Sequence, residues 1–98
     1  MRIADNPLTF DGEYADIPDY MQDSLLRYVR TGQLTGDFLR AVLSNDLFNA
    51  VGRADSVNRE IIPLYVGWLY NRAPLACYGS TAAVSAWIAQ GGLEGEQK

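Results

Sequence analysis

No histidine occurs anywhere in the 98 residues, and there is one cysteine, Cys77. The first absence excludes imidazole acid–base catalysis, Ser–His and Cys–His nucleophilic pairs, and every zinc site that uses histidine. The second excludes an internal disulfide and any cysteine metal cage. No Gly-rich phosphate loop is present, and no stretch approaches the roughly 18 uninterrupted apolar residues of a membrane span. Lysine is nearly absent as well, since seven of the eight cations are arginine.

The remaining composition, 48% hydrophobic and 20% charged, suits one domain with one core. Charge is unevenly placed within the net −4. Six acids (Asp5, Asp11, Glu13, Asp16, Asp19, Asp23) face only Arg2 in residues 1–23, whereas residues 24–72 hold six arginines against Asp37, Asp46, Asp55 and Glu60. An acidic total opposes non-specific attraction to nucleic acid or anionic lipid. The N-terminal residues lack the apolar run of a signal peptide and the lone thiol suits a reducing compartment, so a cytoplasmic protein is expected.

Helical spacing of apolar residues recurs along the chain. Met21, Leu25, Tyr28 and Val29 mark a helix over 18–31, stopped by Gly32. Thr35 is the expected cap of a second helix to Ser44, carrying Phe38, Leu39, Val42 and Leu43 inward. Asn45-Asp46 then supplies a break and a new cap for a third helix holding Leu47, Phe48 and Val51 and ending near Gly52. Helices this short need tertiary packing to persist. A fourth helix is expected from Asp55 or Ser56 to Arg72, with Val57, Ile61, Leu64, Trp68 and Leu69 on one side and a kink or delayed start near Pro63. Ser80 caps a fifth helix to about Gln90, with Val84, Trp87 and Ile88 inward and Gly91-Gly92 as its end. The spacing thus predicts an all-α bundle of four to five helices over 17–92, an extended acidic arm over 1–16 and a frayed tail over 93–98.

Candidate chemistry is thin. Asp16, Asp19 and Asp23 fall near one face of a helix start, where acids complement the positive end of the dipole; no second acidic cluster completes a hydrolase pair. Cys77 reads as a buried structural thiol rather than a nucleophile. A helix-turn-helix can be drawn through Phe38–Arg53, yet its second helix begins with Asp46 and offers no cation before Arg53, so DNA binding is an alternative only. No catalytic residue, cofactor or metal is expected. What remains is aromatic and arginine content, the residue types enriched at the energetic centres of protein interfaces. Trp68 and Trp87 lie on core stripes. Tyr70, Arg72 and Tyr78 lie off them, and together with Asp11 and Glu13 of the acidic arm they are the expected protein-binding residues.

Four segments carry a resemblance: Ile17-Pro18-Asp19-Tyr20-Met21; Phe38-Leu39-x-Ala41-Val42-Leu43-Ser44-Asn45-Asp46-Leu47; Tyr65-Val66-x-Trp68-Leu69-Tyr70-Asn71-x-Ala73-Pro74; and Cys77-x-Gly79-Ser80. Over residues 17–90 the chain resembles a family of small phage and prophage proteins, departing from it at Tyr78, where tryptophan is expected, and at Pro63. The resemblance implies an accessory protein made in the bacterial cytoplasm that binds and modulates a host protein, a defence protein included. Self-assembly, as a homodimer or a structural phage protein, is the other binding alternative.

Overall fold

A computed structural model describes residues 8–96 of the chain. They form an all-α domain of seven helices: α1 (Asp19–Thr31), α2 (Asp37–Leu43), α3 (Leu47–Arg53), α4 (Ser56–Glu60), α5 (Ile62–Arg72), α6 (Thr81–Gln90) and α7 (Gly92–Glu96). Two 3₁₀ turns, Gly12–Asp16 and Leu75–Cys77, complete the described structure. Helix α2 is central, touching α3, α5 and α6, while α1 and α6 share α7 as a common neighbour.

The helix boundaries follow from local chemistry. Pro18 is the N-cap of α1, its carbonyl accepting the amides of Met21 (2.9 Å) and Gln22 (3.0 Å), and Gly32 closes the helix at φ 75°. Asp16, which the sequence places at the start of this helix, instead ends the first 3₁₀ turn. Gly36, not Thr35, is the N-cap of α2; the Thr35 hydroxyl donates to the Gly36 carbonyl instead of accepting a helix amide. Between α2 and α3, Asn45 takes φ 63°, a left-handed conformation that asparagine tolerates better than most residues. There the Asp46 amide reaches back to the Ala41 carbonyl (2.9 Å) and the Asn45 amide to that of Val42 (3.1 Å), closing α2 with a two-bond cap. Asp46 then caps α3 and Asp55 caps α4, through the amides of Asn49 (3.3 Å) and Asn58 (2.8 Å).

Pro63 breaks the expected fourth helix in two. The break falls at Ile61 (φ −111°, ψ 17°), and Pro63 sits in the first turn of α5, where a missing amide costs no helix bond. Core side chains come from every long helix: Leu25, Tyr28 and Val29 of α1, Tyr65, Trp68 and Leu69 of α5, Val84 and Trp87 of α6. Three buried polar side chains are matched. The Tyr28 hydroxyl donates to the Cys77 carbonyl (2.7 Å), the Trp87 indole to the Tyr28 carbonyl (3.0 Å), and the Tyr65 hydroxyl to Asn58 Oδ1 (2.6 Å).

Both ends differ from expectation. From Leu8 onward the supposed extended arm is folded: residues 12–16 form a 3₁₀ turn, Tyr14 and Ile17 are buried, and the Phe10 ring stacks on Trp68. A single short turn has no repeat, so its burial leaves no periodic pattern in the sequence. Residues 1–7 of the arm lie outside the described residues. At the other end, Leu93–Glu96 belong to α7 and Leu93 packs on the core, so the frayed tail is a docked helix; residues 97–98 lie outside the described residues. Gly92, at φ 69°, brings this helix against α1 so closely that a Cβ there would stand 2.6 Å from the Arg30 carbonyl carbon.

Candidate functional site

Helix α5 presents three different stripes. Tyr65, Trp68 and Leu69 enter the core. Gly67 and Asn71 meet Tyr14 of the 3₁₀ turn: the ring packs over the bare Cα of Gly67, and Asn71 Nδ2 donates to the Tyr14 hydroxyl (2.9 Å). Ile62, Val66 and Tyr70, four residues apart, form the third stripe; Val66 and Tyr70 are exposed.

That third stripe borders an apolar groove. Helices α2 and α3 approach through two buried alanines, Ala41 and Ala50, and with alanine at the contact the larger side chains of α3 are turned outward. Leu47, Phe48 and Val51, which the spacing placed on a packed helix, are therefore exposed, Leu47 by 62% and Phe48 by 89%. Leu47 and Ala50 face Ile62 and Val66 across a small concavity of about 50 Å³. An adjoining open concavity of about 210 Å³ is lined by Val66, Leu69, Tyr70, Tyr78 and Gly79. Val42, Asn45 and Val66 line both, so the two are one continuous groove. Leu43 holds the far wall in place, its carbonyl accepting the Gly79 amide (2.8 Å). Burial raises the Tyr78 hydroxyl above its ordinary pKa, and neighbouring Cys77 and Tyr70 add to the shift. The sole acidic or basic side chain on the groove wall is Asp46, whose carboxyl is held below its usual range by hydrogen bonds from the Asn49 side chain and backbone.

The five expected binding residues are divided by the fold. Tyr70 and Tyr78 share the groove. Arg72 lies with the arm: its Nη2 donates to Asp11 Oδ1 (3.0 Å) and its guanidinium sits 5.9 Å from the Tyr14 ring centroid. Arg72 and Asp11 therefore tie the N-terminal segment to α5, so that Arg72 parts from Tyr70 and Tyr78 and lies with the acidic arm. Glu13 is exposed in the 3₁₀ turn, away from the groove lining. Phe48, Leu47 and Val51 were missed as surface residues. The available signal was Ala50 in Asp46-Leu47-Phe48-Asn49-Ala50-Val51, a small residue at the helix contact with large ones around it.

Other chemistry is sparse. Among the described residues no group of three or more Asp, Glu or Cys is placed to hold a metal ion, and Asp16, Asp19 and Asp23 are all exposed. Cys77 is fully buried, and burial raises its thiol pKa to about 12. No helix among the described residues is long and apolar enough to cross a membrane. No family model matches the chain, and neither a curated protein nor a solved structure matches it.

Proposed function

We propose that this chain is a non-enzymatic protein-binding module, a phage or prophage accessory protein that works in the bacterial cytoplasm by binding and modulating a host protein, a defence protein among the candidates. Its contact surface is the groove between α3 and α5. One observation carries the proposal: Tyr70 stands 78% exposed at an apolar groove whose wall is almost free of charge, and Phe48, next in sequence to the lining residue Leu47, stands 89% exposed on α3. Exposing them costs solvation free energy that a protein contact recovers, and contiguous apolar surface with aromatic anchors is the usual centre of such a contact.

Reading α3 as a DNA-recognition helix finds less support. The helix turns Leu47 and Phe48 to solvent, and Arg53, its one cation, is paired with Asp37 at 3.3 Å. Affinity for duplex DNA comes largely from phosphate contacts, which this surface is poorly equipped to make.

The test is affinity capture from bacterial lysate with wild type, a Phe48→Ala/Tyr70→Ala variant and an Asp11→Ala control, followed by binding measurements on the purified partner. The groove variant should weaken the complex by about 1–3 kcal/mol per anchor, and the control should match wild type. A partner retained equally by all three proteins, or selective retention of nucleic acid at physiological salt, would overturn the assignment.

A further inference from the structure

We propose that Asp11-Gly12 is a site of spontaneous covalent modification, isomerisation of Asp11 to isoaspartate, and that docking of the N-terminal segment on α5 holds the reaction in check. The chemistry is intramolecular and needs only water. The Gly12 amide nitrogen attacks Cγ of the protonated Asp11 carboxyl, whose hydroxyl leaves with the amide proton as one water, closing a five-membered succinimide. Water then returns to either carbonyl. Addition at Cγ restores aspartate, whereas addition at the original main-chain carbonyl leaves the chain running through Cβ and Cγ, one bond longer, with the α-carboxylate as the side group.

Position singles this pair out. It is the chain's only Asp-Gly, and no Asn-Gly occurs. Glycine has no Cβ to shield its amide, and the space a Cβ would take at Gly12 holds no other atom within 4 Å. The Asp11 side chain is 64% exposed. By contrast, Asp19, Asp23 and Asp37 lie inside helices, whose hydrogen bonds fix the following peptide plane, and Asp16 precedes the β-branched Ile17.

The two groups that must meet are each restrained while the segment is docked. Arg72 Nη2 holds Asp11 Oδ1 at 3.0 Å. The Asp11 carbonyl, which shares a rigid peptide plane with the Gly12 nitrogen, accepts the Tyr14 amide at 3.1 Å. Ring closure requires the carboxyl to swing from Arg72 onto that nitrogen and the plane to turn, so the reaction belongs to molecules whose arm has lifted. The product cannot remake both restraints, because its longer main chain shifts the carbonyl from Tyr14 and its carboxylate sits one bond nearer the backbone. The Asp11–Arg72 latch therefore opens once and does not close again.

Prolonged incubation of the purified full chain at mildly acidic pH, followed by peptide mapping with electron-transfer fragmentation to locate isoaspartate, tests this. Four proteins are compared: wild type, Arg72→Met, Phe10→Ala and Asp11→Glu, with urea-unfolded wild type as the unrestrained reference. Isoaspartate should form at residue 11 fastest in the unfolded chain and slowest in native wild type. Arg72→Met should form it about 2–5-fold faster than wild type, the factor by which losing an exposed ion pair raises the population of the lifted arm. Phe10→Ala, which removes the stack on Trp68 and leaves the ion pair in place, should also accelerate it. Asp11→Glu should give no such product there, because its longer side chain would have to close a six-membered ring. The isomerised fraction, separated by ion exchange, should unfold at lower denaturant than the unmodified protein. No isoaspartate at residue 11 in the unfolded chain, a native rate equal to the unfolded one, or variants as slow as wild type would overturn the proposal. An isomer as stable as the parent would overturn the one-way latch.

Discussion

Phe10 lies flat on Trp68, their ring centroids 4.6 Å apart and their planes within 6° of parallel, while the Trp68 indole N–H donates to the carbonyl of Thr9 (2.9 Å). The N-terminal segment therefore supplies both an apolar lid and the hydrogen-bond partner of the largest core side chain. Phe10→Ala should lower unfolding free energy by about 1–3 kcal/mol, below the cost of a fully buried phenylalanine because Phe10 is only partly buried. Denaturant unfolding followed by tryptophan fluorescence measures this. A midpoint equal to wild type would show that the stack does not stabilise the fold.

Arg72 should behave as a fold residue. Its guanidinium joins Asp11 and covers Tyr14, with 27% of its side-chain surface exposed. Arg72→Ala is expected to cost about 1–2 kcal/mol of stability, mostly through lost packing, with an Arg72–Asp11 coupling of about 0.5–1 kcal/mol in a double-mutant cycle. Host-protein affinity should change far less than for Tyr70→Ala. The opposite pattern, loss of partner without loss of stability, would return Arg72 to the binding surface.

Gly92→Ala should be among the most damaging single changes. The residue has φ 69°, and an added Cβ would meet the backbone of Arg30 and Gly32, each at 2.6 Å. Backbone cannot rotate aside as a side-chain end can, so α7 must lift from α1 at a cost of more than about 2 kcal/mol. Calorimetry and amide exchange in α1 read the effect directly. An unchanged melting temperature would mean that α7 contributes nothing to stability.

Cys77 makes a pH-dependent prediction. Burial raises its folded pKa to about 12, above the roughly 8.5 of an unfolded thiol. The neutral thiol is thus favoured by folding, so its contribution is fully present below about pH 8.5 and declines as pH rises toward 12. Buried Tyr28 and Tyr65, whose hydroxyls are also raised by desolvation, add to the alkaline loss from about pH 10. Stability by denaturant titration should be flat near neutrality and fall above pH 9, less steeply in Cys77→Ala. Iodoacetamide at pH 8 should label Cys77 only after unfolding, and rapid labelling of the native protein would contradict the burial.

Those sites also show what the sequence could and could not reveal. The all-α class and the ends of α1 and α6 were legible because Leu25, Tyr28 and Val29, or Val84 and Trp87, repeat with helical spacing and are followed by Gly32 or Gly91. Pro63 announced its break for covalent reasons. Phe10, Tyr14 and Leu93 did not announce their burial, since each enters the core from a segment too short to show a period. Tyr70 and Tyr78 stood off the core stripes and do line one groove, while the exposure of Phe48 was not legible because hydrophobicity alone does not say which side of α3 meets α2. Arg72 stands beside Tyr70 in sequence at a two-residue spacing, which on a helix turns the two side chains well apart.

The three stripes of α5 carry a consequence for how this surface can change over time. Ile62, Val66 and Tyr70 border the groove, whereas Tyr65, Trp68 and Leu69 enter the core and Gly67 and Asn71 hold the arm. Within two and a half turns of helix, the exposed groove positions Val66 and Tyr70, with Leu47 opposite, can be exchanged without removing a core side chain. Substitutions there can redraw the shape and polarity of the face at little thermodynamic risk. Under the binding role proposed above, a lineage built on this scaffold can retarget that face while inheriting the interior intact, which is the freedom a binder needs when its counterpart is itself evolving.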